Sequence, residues 1–168
     1  MKVVIQRSKN SKVTINNKIN GSIDKGYVLL VGFTDGDTKE IVNKMINKIL
    51  NLRIFEDENE KMNLSIKDIN GSILSISQFT LYADCKKGNR PSFINAMKPE
   101  EASILYDYFN QELSKYIEVQ TGIFGSDMKV EIYNDGPVTI ILDSGELFKK
   151  WKCKKSCIFI WIKILCDI

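Results

Sequence analysis

Histidine is absent from this 168-residue chain. Without an imidazole, Ser-His and Cys-His nucleophilic pairs and all His-ligated metal chemistry are excluded. A Gly-rich phosphate loop and a dinucleotide fingerprint are also missing, so no nucleotide cofactor is expected. Cysteine is scarce where it would matter. Of the four, Cys153, Cys157 and Cys166 lie near the C-terminus and only Cys85 falls in the first 144 residues, so no disulfide framework is implied. The pair Cys153 and Cys157, with no histidine to complete it, does not amount to a zinc site, and no metal is expected. Long apolar runs are lacking as well. The most apolar C-terminal stretch is about ten residues with Lys163 inside it, against the roughly 20 that a bilayer span needs. No N-terminal signal pattern precedes the first strand, so the expected compartment is the cytoplasm. Strong charge of one sign is absent too. The net charge is +3, but six lysines beyond Gly145 face only Glu146 and Asp167, which leaves the first 144 residues at −1. The body is therefore not a basic nucleic-acid-binding domain by composition, and any RNA contact must come from a local patch. Chemistry is left to backbone dipoles, hydroxyls, carboxylates or the substrate itself.

What is present reads as one layered α/β domain with a mixed sheet, over residues 1–144. Val3 and Ile5 alternate with Val4 and Gln6 in a first strand that ends at Arg7. Asn16-Asn17 is a two-residue hairpin turn between apolar–polar alternations. Residues 27–33 form an apolar run broken only by Gly32, the pattern of a buried strand. Asp37 is placed to cap a helix, with Glu40 three residues on, and Ile41, Val42, Met45, Ile46, Ile49 and Leu50 form its apolar face. Arg53-Ile54-Phe55 and residues 72–77 read as short strands. Pro99-Glu100-Glu101 opens a second helix with proline and acids at its positive end. Residues 128–133 and 138–142 read as two strands joined by a turn at Asn134-Asp135-Gly136-Pro137. Residues 145–168 share no periodicity with the body and are set apart as an atypical tail, with three readings: appended by a frameshift, a genuine lineage-specific extension, or a membrane-surface or partner-binding segment.

Three segments are candidates for function. Ser77-Gln78-Phe79-Thr80-Leu81-Tyr82 is either a strand leaving the core with Phe79 and Leu81 inward, or a strand end that presents N–H groups and hydroxyls to an ester carbonyl. Thr80 has no neighbouring base to activate it, which favours a positioning role over a nucleophilic one. Asn134-Asp135-Gly136-Pro137 is either a plain turn or a rigid probe built on a cis Gly-Pro bond. Arg90-Pro91-Ser92-Phe93, with Lys86 and Lys87 before it, is either a solvated loop or a phosphate-contacting edge. Arg7, closing an apolar strand, calls for a specific partner.

Taken together these motifs resemble one family. In a single order the chain carries Val4-Ile5-Gln6-Arg7, Arg53-Ile54-Phe55, Lys61-Met62-Asn63-Leu64, Ser77-Gln78-Phe79-Thr80-Leu81, Arg90-Pro91-Ser92-Phe93, Leu105-Tyr106-Asp107-Tyr108-Phe109, Gln120-Thr121-Gly122-Ile123-Phe124-Gly125, Asp127-Met128 and Asn134-Asp135-Gly136-Pro137-Val138-Thr139. Over about residues 1–143 this closely resembles the D-aminoacyl-tRNA deacylases. The resemblance implies a largely antiparallel sheet or barrel with two main helices, working as a homodimer. It implies hydrolysis of the ester that joins a D-amino acid, or glycine, to the 3′ end of tRNA, with no cofactor and no membrane. Ser77, Gln78, Phe79 and Thr80 would form one half of the pocket. Gly136 and Pro137, in the cis form, would enter the pocket of the partner subunit, with Arg7 holding them in place. Arg90, Ser92 and Phe93 would contact substrate. The competing expectations are an acyl hydrolase that uses Thr80 covalently, and a non-catalytic nucleic-acid-binding module dominated by the tail lysines.

Overall fold

A computed structural model describes residues 1–148 of the chain. The fold is built on one long hairpin, β1 (Lys2–Ile15) and β2 (Lys18–Gly32), joined at Asn16 and Asn17. Both asparagines have positive φ, 49° and 61°, as a two-residue turn with the twist of its flanking strands demands. The alternating segments seen in the sequence are thus two continuous strands rather than four.

After β2 come α1 (Lys39–Leu50), β3 (Arg53–Glu56) and β4 (Met62–Ser65), then β5 (Ser72–Ser77), which pairs parallel with β2. A 3-10 turn (Phe79–Tyr82) and α2 (Pro99–Leu113) lead to β6 (Glu118–Thr121), parallel to β5. Parallel neighbours need crossovers of this length, and each of the two crossovers carries one helix. The sheet runs β6-β5-β2-β1. Two final strands, β7 (Lys129–Glu131) and β8 (Asn134–Asp143), both pair antiparallel with β1. A short α3 (Ser144–Leu147) follows. The mixed sheet and two main helices are as expected; the sheet stays open and does not close into a barrel.

β2 is apolar throughout its second half because both of its faces are covered. Tyr27, Leu29 and Val31 pack with Val3 and Ile5 against α1 (Val42, Met45, Ile46, Ile49) and α2 (Ala102, Tyr106, Phe109, Leu113). Val28 joins Val13, Ile23, Leu74 and Ile76 in a second cluster, which Met128 and Val130 cover. Burial of each large side chain contributes about 1.5–3 kcal/mol, so the clusters fix the strand order.

Two local expectations are corrected. The α1 cap is Thr38, whose Oγ1 accepts from the Ile41 N–H; Asp37 is turned away. Its carboxylate accepts from the Met1 amine and from the Thr34 N–H at 2.8 Å, and an ammonium outcompetes helix N–H groups for it. The segment at Asn134-Asp135-Gly136-Pro137 is not a hairpin turn. β7 and β8 do not pair with each other but lie end to end along β1. The tail proposed from residue 145 has only its first four residues in the described part, and those after Phe148 lie outside it.

Candidate functional site

Two constructions stand out, and they use the backbone in opposite ways. The first is the end of β5. Ser77 pairs with Val31 of β2, and the Gln78 N–H donates to the Val31 carbonyl at 2.7 Å. The chain then leaves the sheet in the tight turn at Phe79–Tyr82, which seats against Gly32. A β-carbon on Gly32 would lie 2.8 Å from the Gln78 carbonyl oxygen, so only glycine allows this approach. Leu81 and Ala83 N–H groups bond back into the turn, to Gln78 and Thr80 carbonyls. The Phe79 and Thr80 N–H groups have no acceptor among the described residues. Gln78 donates its side-chain amide to Thr80 Oγ1. The Thr80 hydroxyl thus has a donor beside it, and no base is bonded to it among the described residues.

These residues edge a cleft of about 710 Å³. Ser77, Gln78, Phe79 and Phe93 line it, and Phe79 and Phe93 meet edge to face with ring centroids 5.0 Å apart. Phe79 is 57% exposed, so the inward-facing assignment for it is corrected: the 3-10 turn rotates the ring out of the strand alternation. Thr80, Arg90 and Ser92 stand outside the lining. Ser92 instead closes the base of a loop, pairing with Asp84 through backbone hydrogen bonds of 2.7 and 2.9 Å.

Sequence reasoning missed much of the opposite wall. Phe33, Met97 and Lys98 line the cleft, as do residues 124–128. The last group had a signal: Gly122, Phe124, Asp127 and Met128 belong to the recurrent motifs quoted above. Met128 packs over Gly122, where a β-carbon would sit 2.4 Å from its sulfur and displace the methionine side chain.

The second construction is a bulge in β8. Gln6 faces Thr139 and Ser8 faces Asn134, so Arg7 alone opposes the four residues 135–138. The excess chain is pushed out of the sheet. Asn134 bridges the bulge, its side-chain carbonyl accepting from the Val138 N–H at 2.9 Å and its amide donating to Thr139 Oγ1 at 3.1 Å. Arg7, only 6% exposed, fastens it underneath. Its Nε donates to the Asp135 carbonyl at 2.9 Å, its Nη1 to the Ile54 carbonyl at 3.0 Å, and its Nη2 lies 3.3 Å from Glu56 Oε1. Gly136-Pro137 at the crest is cis and both residues are exposed. Gly136 has φ of 133°, and a β-carbon would meet Val138 Cγ2 at 2.8 Å and Arg7 Nη2 at 3.0 Å.

The two constructions do not meet within one chain. Arg7 and Gly136 line a separate depression of about 510 Å³ with Lys9, Lys25, Phe55, Glu56 and Asp135, none of which lines the cleft. Along β1, Arg7 stands four residues from Val3, the partner of Val31, a separation of about 14 Å. Unpartnered N–H donors beside a largely apolar cleft suit a developing oxyanion, and a rigid protrusion suits insertion elsewhere.

The family model described as D-Tyr-tRNA(Tyr) deacylase matches residues 4–143. A solved structure named c-Myc DNA Unwinding Element Binding Protein is 41% identical, covers 85% of this chain and 98% of its own, and superposes with a TM-score of 0.81. Another, described as a probable eukaryotic D-amino acid tRNA deacylase, is 20% identical, covers 84% and 98%, and shares the fold with a TM-score of 0.73.

Proposed function

This chain belongs to the D-Tyr-tRNA(Tyr) deacylase family, a family of D-aminoacyl-tRNA hydrolases, and from that premise we propose how its residues carry the reaction. The observation that carries the reading is the pair of N–H groups at Phe79, which lines the cleft, and at Thr80 beside it, neither with an acceptor among the described residues. An aminoacyl ester is already activated. Water adds to its carbonyl carbon, the carbonyl oxygen takes the negative charge, and the ribose 3′-oxygen leaves with a proton relayed through the adjacent 2′-hydroxyl. The protein supplies orientation and oxyanion donors, Ser77, Gln78, Phe79 and Thr80 forming that half of the site. No imidazole is needed, and no covalent intermediate forms.

Selection of the D-series falls to Gly136 and Pro137. In our reading they enter the cleft of a second copy of the chain, across a homodimer interface, with Arg7 fixing their position. The support is geometric: the crest is exposed and rigidly based, and it is remote from the cleft of its own chain. An L-side chain would run into this wall, so rejection works by steric exclusion. Glycine has no side chain to exclude, which makes glycyl-tRNA a second substrate. Arg90, Ser92 and Phe93 contact the nucleic acid side of the substrate. The catalytic domain is residues 1–144, and action on charged tRNA places the protein in the cytoplasm. No helix among the described residues is long and apolar enough to cross a membrane.

The test is release of D-tyrosine and L-tyrosine from charged tRNA. The expected result is rapid release of the D-form alone; equal rates would remove the steric filter. The name of the 41% identical structure favours a second reading, a non-catalytic nucleic-acid-binding module. Deletion of the residues after Phe148, with five of the six tail lysines between 149 and 155, separates the two. Deacylation unchanged within about twofold supports the enzyme, whereas loss of nucleic acid binding with no hydrolysis in either form supports the module.

A further inference from the structure

Among the described residues most cations without a carboxylate partner are scattered singly along the chain, and the loop after Asp84 is where three of them cluster. Lys2, Arg7, Lys9, Lys12, Lys44 and Lys115 each lie within 4.0 Å of a carboxylate. Lys86, Lys87 and Arg90, three cations within five positions, make no ion pair and no side-chain hydrogen bond, and all three are exposed. Their loop is held at its base by the Asp84–Ser92 bridge and turned at Gly88, with φ of 70°. The one acid in residues 84–92, Asp84, is occupied in accepting from the Lys86 N–H at 2.9 Å. The loop therefore presents a fixed cluster of positive charge on a body that is otherwise slightly acidic. It also has a definite address. Phe93 follows it directly and packs on Phe79 at the rim of the cleft, and Lys98, unpaired as well, lines the cleft a few residues on. Free cations beside exposed aromatic rings are the composition of a groove for single-stranded nucleic acid.

We propose that the loop of residues 84–92, with Lys98, is the phosphate-contacting surface for the single-stranded 3′ end of the RNA, setting the register of the ester in the cleft without taking part in its hydrolysis. The proposal rests on the deacylase reading above. It assigns the loop to the sugar-phosphate strand rather than to the amino acid. Phosphates position a strand without reading its sequence, so the surface serves tRNAs of different identity.

The test compares D-tyrosyl-tRNA with 3′-D-tyrosyl-adenosine, which carries the same ester and no phosphate. With the wild-type protein, KM for the tRNA should rise steeply between about 50 and 200 mM salt, while KM for the nucleoside ester stays flat. In Lys86→Ala/Lys87→Ala the slope of log KM against log salt should fall by about 1.4, at roughly 0.7 per lost phosphate contact on a single strand. Hydrolysis of the nucleoside ester should be unchanged, and Lys86→Arg/Lys87→Arg should restore the slope. An unaltered slope in the alanine variant, or equal losses on both substrates, overturns the proposal while leaving the deacylase reading intact. Equal competition by blunt duplex RNA and by a short single-stranded RNA would assign the loop to duplex instead and overturn it too. A wild-type protein that hydrolyses neither ester removes the deacylase reading, and the proposal with it.

Discussion

The rim of the cleft and the bulge in β8 are both irregular departures from the sheet, yet they treat polar groups in opposite fashion. At the rim, the Phe79 and Thr80 N–H groups have no partner among the described residues, and the side chains of both are exposed. At the bulge, the Arg7 side chain is buried and divided among two carbonyls and two carboxylates. The rim leaves backbone donors without a partner among the described residues, whereas at the bulge the Arg7 guanidinium and the Asn134 amide are committed to holding the backbone. The contrast makes a sharp claim: damage to the bulge should show as lost structure and lost selectivity, and damage to the rim as lost rate on an intact fold.

The largest effect is expected from Arg7→Ala. It leaves the Ile54 and Asp135 carbonyls without their donor, and each buried unsatisfied group costs about 1–3 kcal/mol. We expect a total loss of about 2–4 kcal/mol in denaturant unfolding, with deacylation all but abolished. Arg7→Lys should recover part of the stability only, because an ammonium cannot reproduce the planar fork. A variant with wild-type stability would mean that the bulge is held by Asn134 alone.

Next in size is Gly136→Ala. The added methyl meets Val138 and Arg7 in a backbone region that suits glycine, so about 1–3 kcal/mol is expected in stability. The sharper measurement is complementation. If the crest acts in the partner's cleft, Gly136→Ala mixed with a variant disabled at the rim should regain activity, up to about a quarter of the sites after random reassortment of dimers. No recovery, with both variants folded and dimeric, would place the crest in its own chain's reaction.

A smaller effect is expected at the rim itself. Thr80→Ala removes an exposed hydroxyl that receives a hydrogen bond from Gln78 but leaves the backbone donors in place. A drop in kcat of about tenfold or less, with stability unchanged, is the expected result; a backbone oxyanion donor would be worth ~100- to 1000-fold. Burst kinetics in the wild type, abolished in the variant, would establish a covalent role for Thr80 and reverse the assignment.

Local signals in the sequence were legible wherever a local rule decides the structure. The Asn16-Asn17 turn and the Pro99 start of α2 follow from residue preferences within a few positions. Recurrent motifs brought Ser77 and Gln78 together with Phe79 and Phe93 around one cleft. The plain-turn reading of Asn134-Asp135-Gly136-Pro137 fails because turn residues also suit a bulge, and only the pairing of both β7 and β8 with β1 tells the two apart. Asp37 was misread for a related reason: its partner, the Met1 amine, is 36 positions away. The wall formed by Phe33, Met97 and Phe124 had no pattern of its own, since it is assembled from three connections that meet only once the sheet is formed.

The smallest expected effect lies beneath the bulge, in the β3–β4 hairpin that supplies Arg7 with the Ile54 carbonyl and Glu56. Two aspartates staple this hairpin and its exit. Asp57 accepts from the Lys61 and Asn59 N–H groups, with a further bond from Asn63, and these bonds hold its pKa below the ordinary 3.8. Asp68 is likewise lowered by the Ser65 hydroxyl and N–H, at 2.7 Å each. A carboxyl whose folded pKa is depressed stabilises the fold in full above its unfolded value and loses that contribution as pH falls through the folded one. The hairpin should therefore hold to about pH 4 and loosen below it, by a modest amount because solvent reaches both carboxylates, Asp68 being exposed and Asp57 half-buried. Hydrogen exchange at residues 57–68 should rise in this window before exchange in β1 and β2 does. In Asp57→Asn/Asp68→Asn the early step should vanish, while the rim, which depends on no titrating group in its backbone donors, keeps its structure throughout. Simultaneous loosening of rim and hairpin in acid would show that the two regions are one cooperative unit, and the division between a committed scaffold and a poised edge would have to be abandoned.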